Sequence, residues 1–325
     1  MSAETGETVS KIFLSCDLTG STNFKQLPRK PGGTPWQKVF LQFYREFPQQ
    51  IATITATDPR VSDLKFELWK PIGDELIYSC AVGSEADVYN AVRAWTTAIG
   101  KYREDNLKDT PMGTKGGAFI ATFPGPDSYS SIPRLPEYED SDGDVVLRNA
   151  AAQTARDDLK YLYDYFGPSF DTGFRVLSKC SERYFTLSVE VAFAMFSLHV
   201  NKGRQQYPVD DLQLLDFVEL KGVWSGKPYP VVAIDVEHQD PVHQAYAKFE
   251  RRGSADELHE LCKACYTKED WPSKMWLPSA HLGMFKDDKP PDPFENYVAA
   301  GAEGAEKVPD EPSAPQGLRD NPPLA

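Results

Sequence analysis

Apolar and polar positions alternate along this chain with two different periods, and the switches between them predict a succession of strands and helices. Residues 11–18 form a β-branched and aromatic run that predicts a strand, and residues 34–54 read as an amphipathic helix. Residues 64–70 and 75–82 predict a hairpin around Gly73-Asp74, followed by a helix over 84–106 and a strand over 116–123. The Pro-rich, acidic stretch from Pro124 to Asp144 reads as a surface insertion. Helices are expected at 149–163 and 167–180, a strand at 183–188, a helix at 189–201, and strands at 212–220 and 229–236. The pattern belongs to the α/β (α+β) class, a mixed sheet with helices packed on it. There are no internal repeats.

The organisation that follows is a flexible N-terminus over 1–10, a main domain over 11–239 with an insertion at 124–148, and a helical extension over 240–285. Trp271, Trp276 and Phe285 predict that the extension packs back on the domain or on a partner. Residues 286–325, rich in proline and acidic residues, are expected to be disordered.

Candidate chemistry begins where the first strand ends. Asp17 follows Ile12-Phe13-Leu14-Ser15-Cys16 and runs into Leu18-Thr19-Gly20-Ser21-Thr22, while Asp74 sits in the tight turn Trp69-Lys70-Pro71-Ile72-Gly73-Asp74-Glu75. Hard divalent cations take oxygen ligands, and one or two carboxylates plus phosphate oxygens suffice to hold them. The small residues Gly20, Ser21 and Thr22 let backbone N–H groups approach phosphate, as turns opening into helices do. Taken singly, each aspartate is more often a turn or cap residue.

A third segment, Tyr163-Asp164-Tyr165-Phe166-Gly167-Pro168-Ser169-Phe170-Asp171-Thr172-Gly173-Phe174-Arg175, changes the balance, and with it the sequence resembles the class III nucleotidyl cyclases. By that resemblance Asp17 and Asp74 match the metal-binding aspartates, and Lys70 and Asp164 fall at the base-recognition positions. Asp171 falls at the ribose position and Arg175 at the transition-state arginine. Leu220-Lys221-Gly222-Val223 is similar to the late turn whose lysine holds the triphosphate. The matches occur in family order across residues 11–236. The resemblance implies two Mg²⁺ or Mn²⁺ ions per site, a nucleoside triphosphate substrate, and a homodimer whose subunits share each site.

Within the family, Gly117-Ala118-Phe119-Ile120-Ala121-Thr122-Phe123-Pro124, Phe166-Gly167-Pro168-Ser169 and Phe185-Thr186-Leu187-Ser188-Val189-Glu190 resemble the bacterial pyrimidine cyclases of antiphage (Pycsar) systems. Those enzymes make cyclic UMP or cyclic CMP, which activates a separate effector. Asp171 in place of the asparagine usual in adenylyl cyclases fits that branch, whereas Lys70 with Asp164 is also the pair of adenine-using members. UTP is the expected substrate, with cytidylate or adenylate cyclase, or a degenerate nucleotide-binding sensor, as alternatives. An unrelated α/β interaction protein acting through its extension is the further alternative. A pyrimidine pocket should be narrowed by bulky side chains, for which Tyr44 and Arg93 are candidates; packing of Tyr44 in the core and solvation of Arg93 are the plainer alternatives.

Composition narrows the classes further. The chain has 325 residues, 41% of them hydrophobic, enough for one large domain or one domain with an appendage. A net charge of −13 argues against broad nucleic-acid contact, which needs a basic surface. Lys70, Arg175 and Lys221 would supply local cations for a nucleotide. The polar start and the lack of a long apolar run predict neither leader nor membrane span, and five cysteines without a disulfide-like array fit a reducing cytoplasm. His259, Cys262 and Cys265 have helical spacing but no fourth ligand for zinc, and Asp140, Asp142, Gly143 and Asp144 lack calcium-loop spacing.

Overall fold

A computed structural model describes residues 7–26, 35–139, 143–247, 253–295 and 297. The expectations for the first six residues, for Asp140 and Asp142, and for the tail from residue 298 lie outside the described residues. The chain runs β1 (Val9–Thr19), α1 (Ser21–Gln26), α2 (Trp36–Thr57), β2 (Glu67–Ile72), β3 (Glu75–Val82), α3 (Glu85–Tyr102), β4 (Gly113–Lys115), β5 (Gly117–Phe123) and β6 (Ser128–Pro133). It continues with α4 (Val145–Ala155), β7 (Tyr161–Phe166), α5 (Pro168–Leu177), β8 (Tyr184–Leu187), α6 (Val189–Lys202), β9 (Leu212–Glu219) and β10 (Pro228–Asp235). Three short helices follow: α7 (Pro241–Ala247), α8 (Ala255–Tyr266) and α9 (Gly283–Lys286).

The main sheet has the order β2-β3-β1-β5-β8-β10-β9, with β4 paired to the end of β1. Among the described residues only β5 and β8 pair in parallel, so the sheet is mixed. Being central, β1 buries both faces, which explains its unbroken apolar run. Ile12, Leu14, Cys16 and Leu18 face one layer, built from α2, α3 and α6, while Phe13 faces the other with Phe119, Phe123 and Phe170.

Helix α6 is apolar all round because it is enclosed: Val189 through His199 are all buried, with the sheet on one side and α8 on the other. On the opposite face α5 lies against β5, where a side chain at Gly173 would strike the Phe119 ring at 2.3 Å. Only glycine permits that approach.

The extension packs back on the main domain. Trp271 stacks on Tyr229 at 5.3 Å between centroids, and Phe285 meets Phe193 edge-on at 5.0 Å. Two buried carboxylates hold the segment: Glu190 accepts from Trp271 Nε1 and Ser273 Oγ, and Glu85 accepts from the N–H groups of His281 and Leu282. Cys262 is fully buried and His259 meets the Phe193 ring at 5.4 Å, so both serve packing.

Two expectations are corrected. The helix expected over 149–163 ends at Ala155, and Tyr161–Phe166 is instead a strand. The stretch from Pro124 to Asp144 is not only a loop: its Ser128–Pro133 pairs with β7 as a separate two-stranded sheet. Among the described residues no helix is long and apolar enough to cross a membrane.

Candidate active site

The first half of the site forms where β1 ends. Asp17 is the third residue from the strand terminus and is paired with Glu75 of β3 and Lys115 of β4. The chain then turns at Gly20, whose φ of +71° and contact with Pro111 O, 3.0 Å from where a Cβ would stand, both demand glycine. Helix α1 starts immediately, so Ser21 and Thr22 occupy its first positions. Asp74 arrives from the β2–β3 turn, where its carbonyl accepts from Leu18 N at 3.4 Å. Asp17, Asp74, Lys115 and the turn 19–23 line one cleft of about 430 Å³.

Charge in this cleft is unbalanced. Burial, first, and the nearby charge of Asp74 push the Asp17 carboxyl above the usual aspartate range, while Lys115, with Nζ 3.2 Å from Oδ2, pulls it down. Burial and the Asp17 charge likewise raise the Glu75 carboxyl. Two carboxylates beside a small-residue turn fit a hard cation that completes its shell with phosphate and water oxygens. Among the described residues no group of three or more His, Cys, Asp or Glu side chains is placed to hold a metal by protein ligands alone.

Tyr44 belongs to this half. Its hydroxyl donates to Gly73 O at 2.5 Å and burial with the Asp74 charge raises its pKa, so α2 braces the turn that presents Asp74. Tyr44 therefore does not flank Lys70 and Asp164 in the chain, because α2 packs on the other face of the sheet. Arg93 is engaged elsewhere: its guanidinium donates to both Asp211 carboxylate oxygens and to Pro208 O, tying α3 to the segment before β9. The plainer expectation of a solvated Arg93 is corrected by this partly buried clamp, and a part for Arg93 in narrowing a base pocket stays a proposal.

The second half lies on the face that α5 covers. Lys70 Nζ donates to both oxygens of Asp164, at 3.0 and 2.9 Å, and Trp69 Nε1 donates to Asp164 Oδ1 at 2.9 Å. Neighbours in a strand ordinarily point to opposite faces. Here the β2–β3 register shifts between Leu68 and Lys70, and that irregularity lets Trp69 and Lys70 reach the same carboxylate. On α5, Asp171 is exposed and pairs with Arg175 at 3.6 Å. A Cβ at Gly222 would lie 3.9 Å from Arg175 Nη2, so Arg175 reaches the Lys221-Gly222 turn, where Lys221 is exposed.

The residues singled out in the sequence thus gather in separate groups: Asp17, Asp74 and residues 20–22 in one, Lys70 with Asp164 in a second, and Arg175 beside the Lys221 turn in a third. Neither Arg175 nor Lys221 lines the Asp17 cleft. Sequence reasoning missed Lys115, which sits among glycines in Gly113-Thr114-Lys115-Gly116-Gly117 without a motif, and Trp69, whose side-chain direction depends on a register shift.

No family model matches the chain, and no curated protein matches it. Solved structures that are similar include the adenylyl cyclase CyaB from P. aeruginosa, 12% identical over 70% of this chain and 94% of that one, with a TM-score of 0.43. The guanylate cyclase domain of RhGC from Catenaria anguillulae in complex with GTP is 13% identical over 71% of this chain and 99% of that one, with a TM-score of 0.43. A non-canonical dimeric guanylyl cyclase domain of the RhoGC fusion protein from Blastocladiella emersonii is 12% identical over 70% and 98%, with a TM-score of 0.42. Likeness at this distance carries no argument about activity, which rests on the chain's own residues.

Proposed function

We propose that this chain is a class III nucleotidyl cyclase that converts UTP to 3′,5′-cyclic UMP and pyrophosphate. The observation that carries the reading is the single cleft lined by Asp17, Asp74 and the turn 19–23, residues more than 50 positions apart that meet beside a small-residue loop. Divalent ions, when bound there, would supply Lewis-acid activation of the ribose 3′-hydroxyl and screening of the leaving pyrophosphate. Asp17 and Asp74 would hold the ions, and Ser21 and Thr22 would present backbone N–H groups to phosphate. Lys70 and Asp164 would meet the base, and Asp171 the ribose. Arg175 would oppose charge growing on the phosphoryl oxygens, and Lys221 would grip the outer phosphates.

The absence of Arg175 and Lys221 from the Asp17 cleft supports a site completed by a second copy of the chain, a two-fold homodimer in which each subunit gives one half. The pyrimidine product and a role in antiphage signalling, with a separate effector reading the product in the cytoplasm, rest on the resemblance of residues 117–124, 166–169 and 185–190. Incubation with equal amounts of the four triphosphates and Mn²⁺, followed by identification of the cyclic product, tests the reading; cyclic UMP is expected, and a purine product would remove the pyrimidine assignment.

One observation favours a second reading, a nucleotide-binding domain without turnover: the Lys115 ammonium already engages the carboxylate that an ion would need. Pyrophosphate release separates the two, since a pure sensor releases none.

A further inference from the structure

Behind Asp164 lies a second cavity, of about 150 Å³, between the β2–β3 hairpin and the small β6–β7 sheet. Trp69, Tyr129, Gln153, Arg156, Tyr163 and Asp164 are in its wall. Its volume is about half the lower bound of drug-sized pockets, roughly 300 Å³, so it has room for one small ring. Gln153, on α4, is only 9% exposed, yet its Nε2 has no hydrogen-bond partner among the described residues. A buried amide donor left unpaired is destabilising, so its retention in a cavity wall calls for a ligand that accepts from it.

Arg156, exposed at the C-cap of the same helix, brings a guanidinium to the cavity lining as a second donor. It is one of three described non-glycine residues with positive φ, at 47°, and caps α4 in a left-handed conformation that glycine or asparagine usually takes. That conformation accompanies a guanidinium stacked over the Tyr163 ring at 4.6 Å. Strain of this kind concentrates at ligand sites. The Glu67 carboxylate supplies an acceptor at the same wall, and Asp164, whose Oδ1 already accepts from Trp69 Nε1, Lys70 Nζ and Tyr165 N, keeps its remaining capacity on Oδ2.

We infer that Gln153 and Arg156 read the base edge of the nucleotide, in a cavity that takes a single pyrimidine ring and favours uracil. Uracil offers two carbonyl acceptors flanking one N–H donor, which matches two protein donors beside carboxylate acceptors. Cytosine replaces one carbonyl with an amino donor, leaving one protein donor facing another donor. The inference rests on the proposed nucleotide site and names the side chains that select its base; Tyr44 and Arg93 do not enter it.

The test measures binding of 3′-deoxy-UTP and 3′-deoxy-CTP, which lack the hydroxyl needed for cyclisation, to the full-length protein with Mg²⁺ by titration calorimetry. The wild type should prefer the uridine analogue. Gln153→Leu should weaken that analogue about tenfold, the value of one lost hydrogen bond to a buried donor, and leave the cytidine analogue within about twofold. Gln153→Glu, which presents an acceptor, should move the preference toward cytidine, and unchanged thermal unfolding of Gln153→Leu would show that the fold is intact. Equal changes for both analogues, or none, would overturn the inference while leaving cyclase activity standing. The binding pattern without cyclic product from any triphosphate would sustain the inference and end the cyclase reading.

Discussion

Asp17 and Lys115 occupy directly paired positions on β1 and β4, and their charged groups meet at 3.2 Å. The pair sets the protonation of the cleft. Burial holds the Asp17 carboxyl above the ordinary aspartate value of about 3.9, and Lys115 opposes that rise. A metal ligand must be the carboxylate, so kcat/KM is expected to fall as pH drops through this raised pKa. Lys115→Met removes the opposing charge and should move the acid limb to higher pH, whereas Lys115→Arg should leave it in place. Rate profiles over pH 4.5–8.5 decide the matter; identical limbs in all three proteins would mean Lys115 does not set the charge.

Asp127 anchors the helix that carries Asp171 and Arg175. Fully buried, its carboxylate accepts from Ser169 N at 2.9 Å, at the start of α5, and from Thr122 N at 3.2 Å on β5. Burial pushes it up to about 6, against those hydrogen bonds and with a smaller contribution from Glu190. The folded state thus binds this proton more tightly than the unfolded chain, whose aspartate titrates near 3.9. The resulting stability is fully present below about pH 4 and lost as pH rises through about 6. A shift of this size is worth at most about 3 kcal/mol. Asp127→Asn should flatten the profile, and urea unfolding at pH 4.5 and 7.5 should show wild type losing on the order of 1–3 kcal/mol more than the variant between them.

These side chains differ in how readily the sequence revealed them. The α2 helix and the main-sheet strands other than β4 follow local periodicity, and α6 is an almost unbroken apolar run, which is why the Asp17 and Gly73-Asp74 turns could be placed in advance. Strand β7 was hidden because its partner, β6, is a serine-rich segment about 30 residues earlier, so neither strand has a strong pattern alone. The aromatic run Tyr161-Leu162-Tyr163 and the turn at Asp157, whose carboxylate accepts from Leu159 N at 3.0 Å, were the available signals. The Arg93 clamp was not legible because a helical position that looks solvated meets Asp211, 118 residues away. Contacts of that range are set by tertiary packing, and local pattern does not contain them.

Glu190 makes the extension part of the fold rather than an appendage. Buried to 1% exposure, it accepts from Trp271 Nε1 at 2.6 Å and from Ser273. Glu190→Ala strands both donors inside the protein and should cost about 3–5 kcal/mol in denaturant unfolding, within the range for breaking a buried charged network. Glu190→Gln keeps an acceptor and should cost less, about 1–2 kcal/mol. Equal stability of Glu190→Ala and wild type would show that the extension is held by its aromatic contacts alone.

The separation of the two half-sites makes the strongest demand on the proposed function. Asp17→Ala removes a proposed ion ligand and Arg175→Ala a proposed transition-state cation, so each purified variant is expected to lose cyclase activity by at least about 10³-fold. If one chain supplied both groups, mixing the variants would restore nothing, since every chain carries one defect. In a shared dimer, a mixed pair holds one site with both defects and one with neither. Random exchange makes about half the dimers mixed, so about a quarter of wild-type activity should return. Subunit exchange can be verified by mass under native conditions, and a mixed population that stays inactive would place both groups in the same subunit's site.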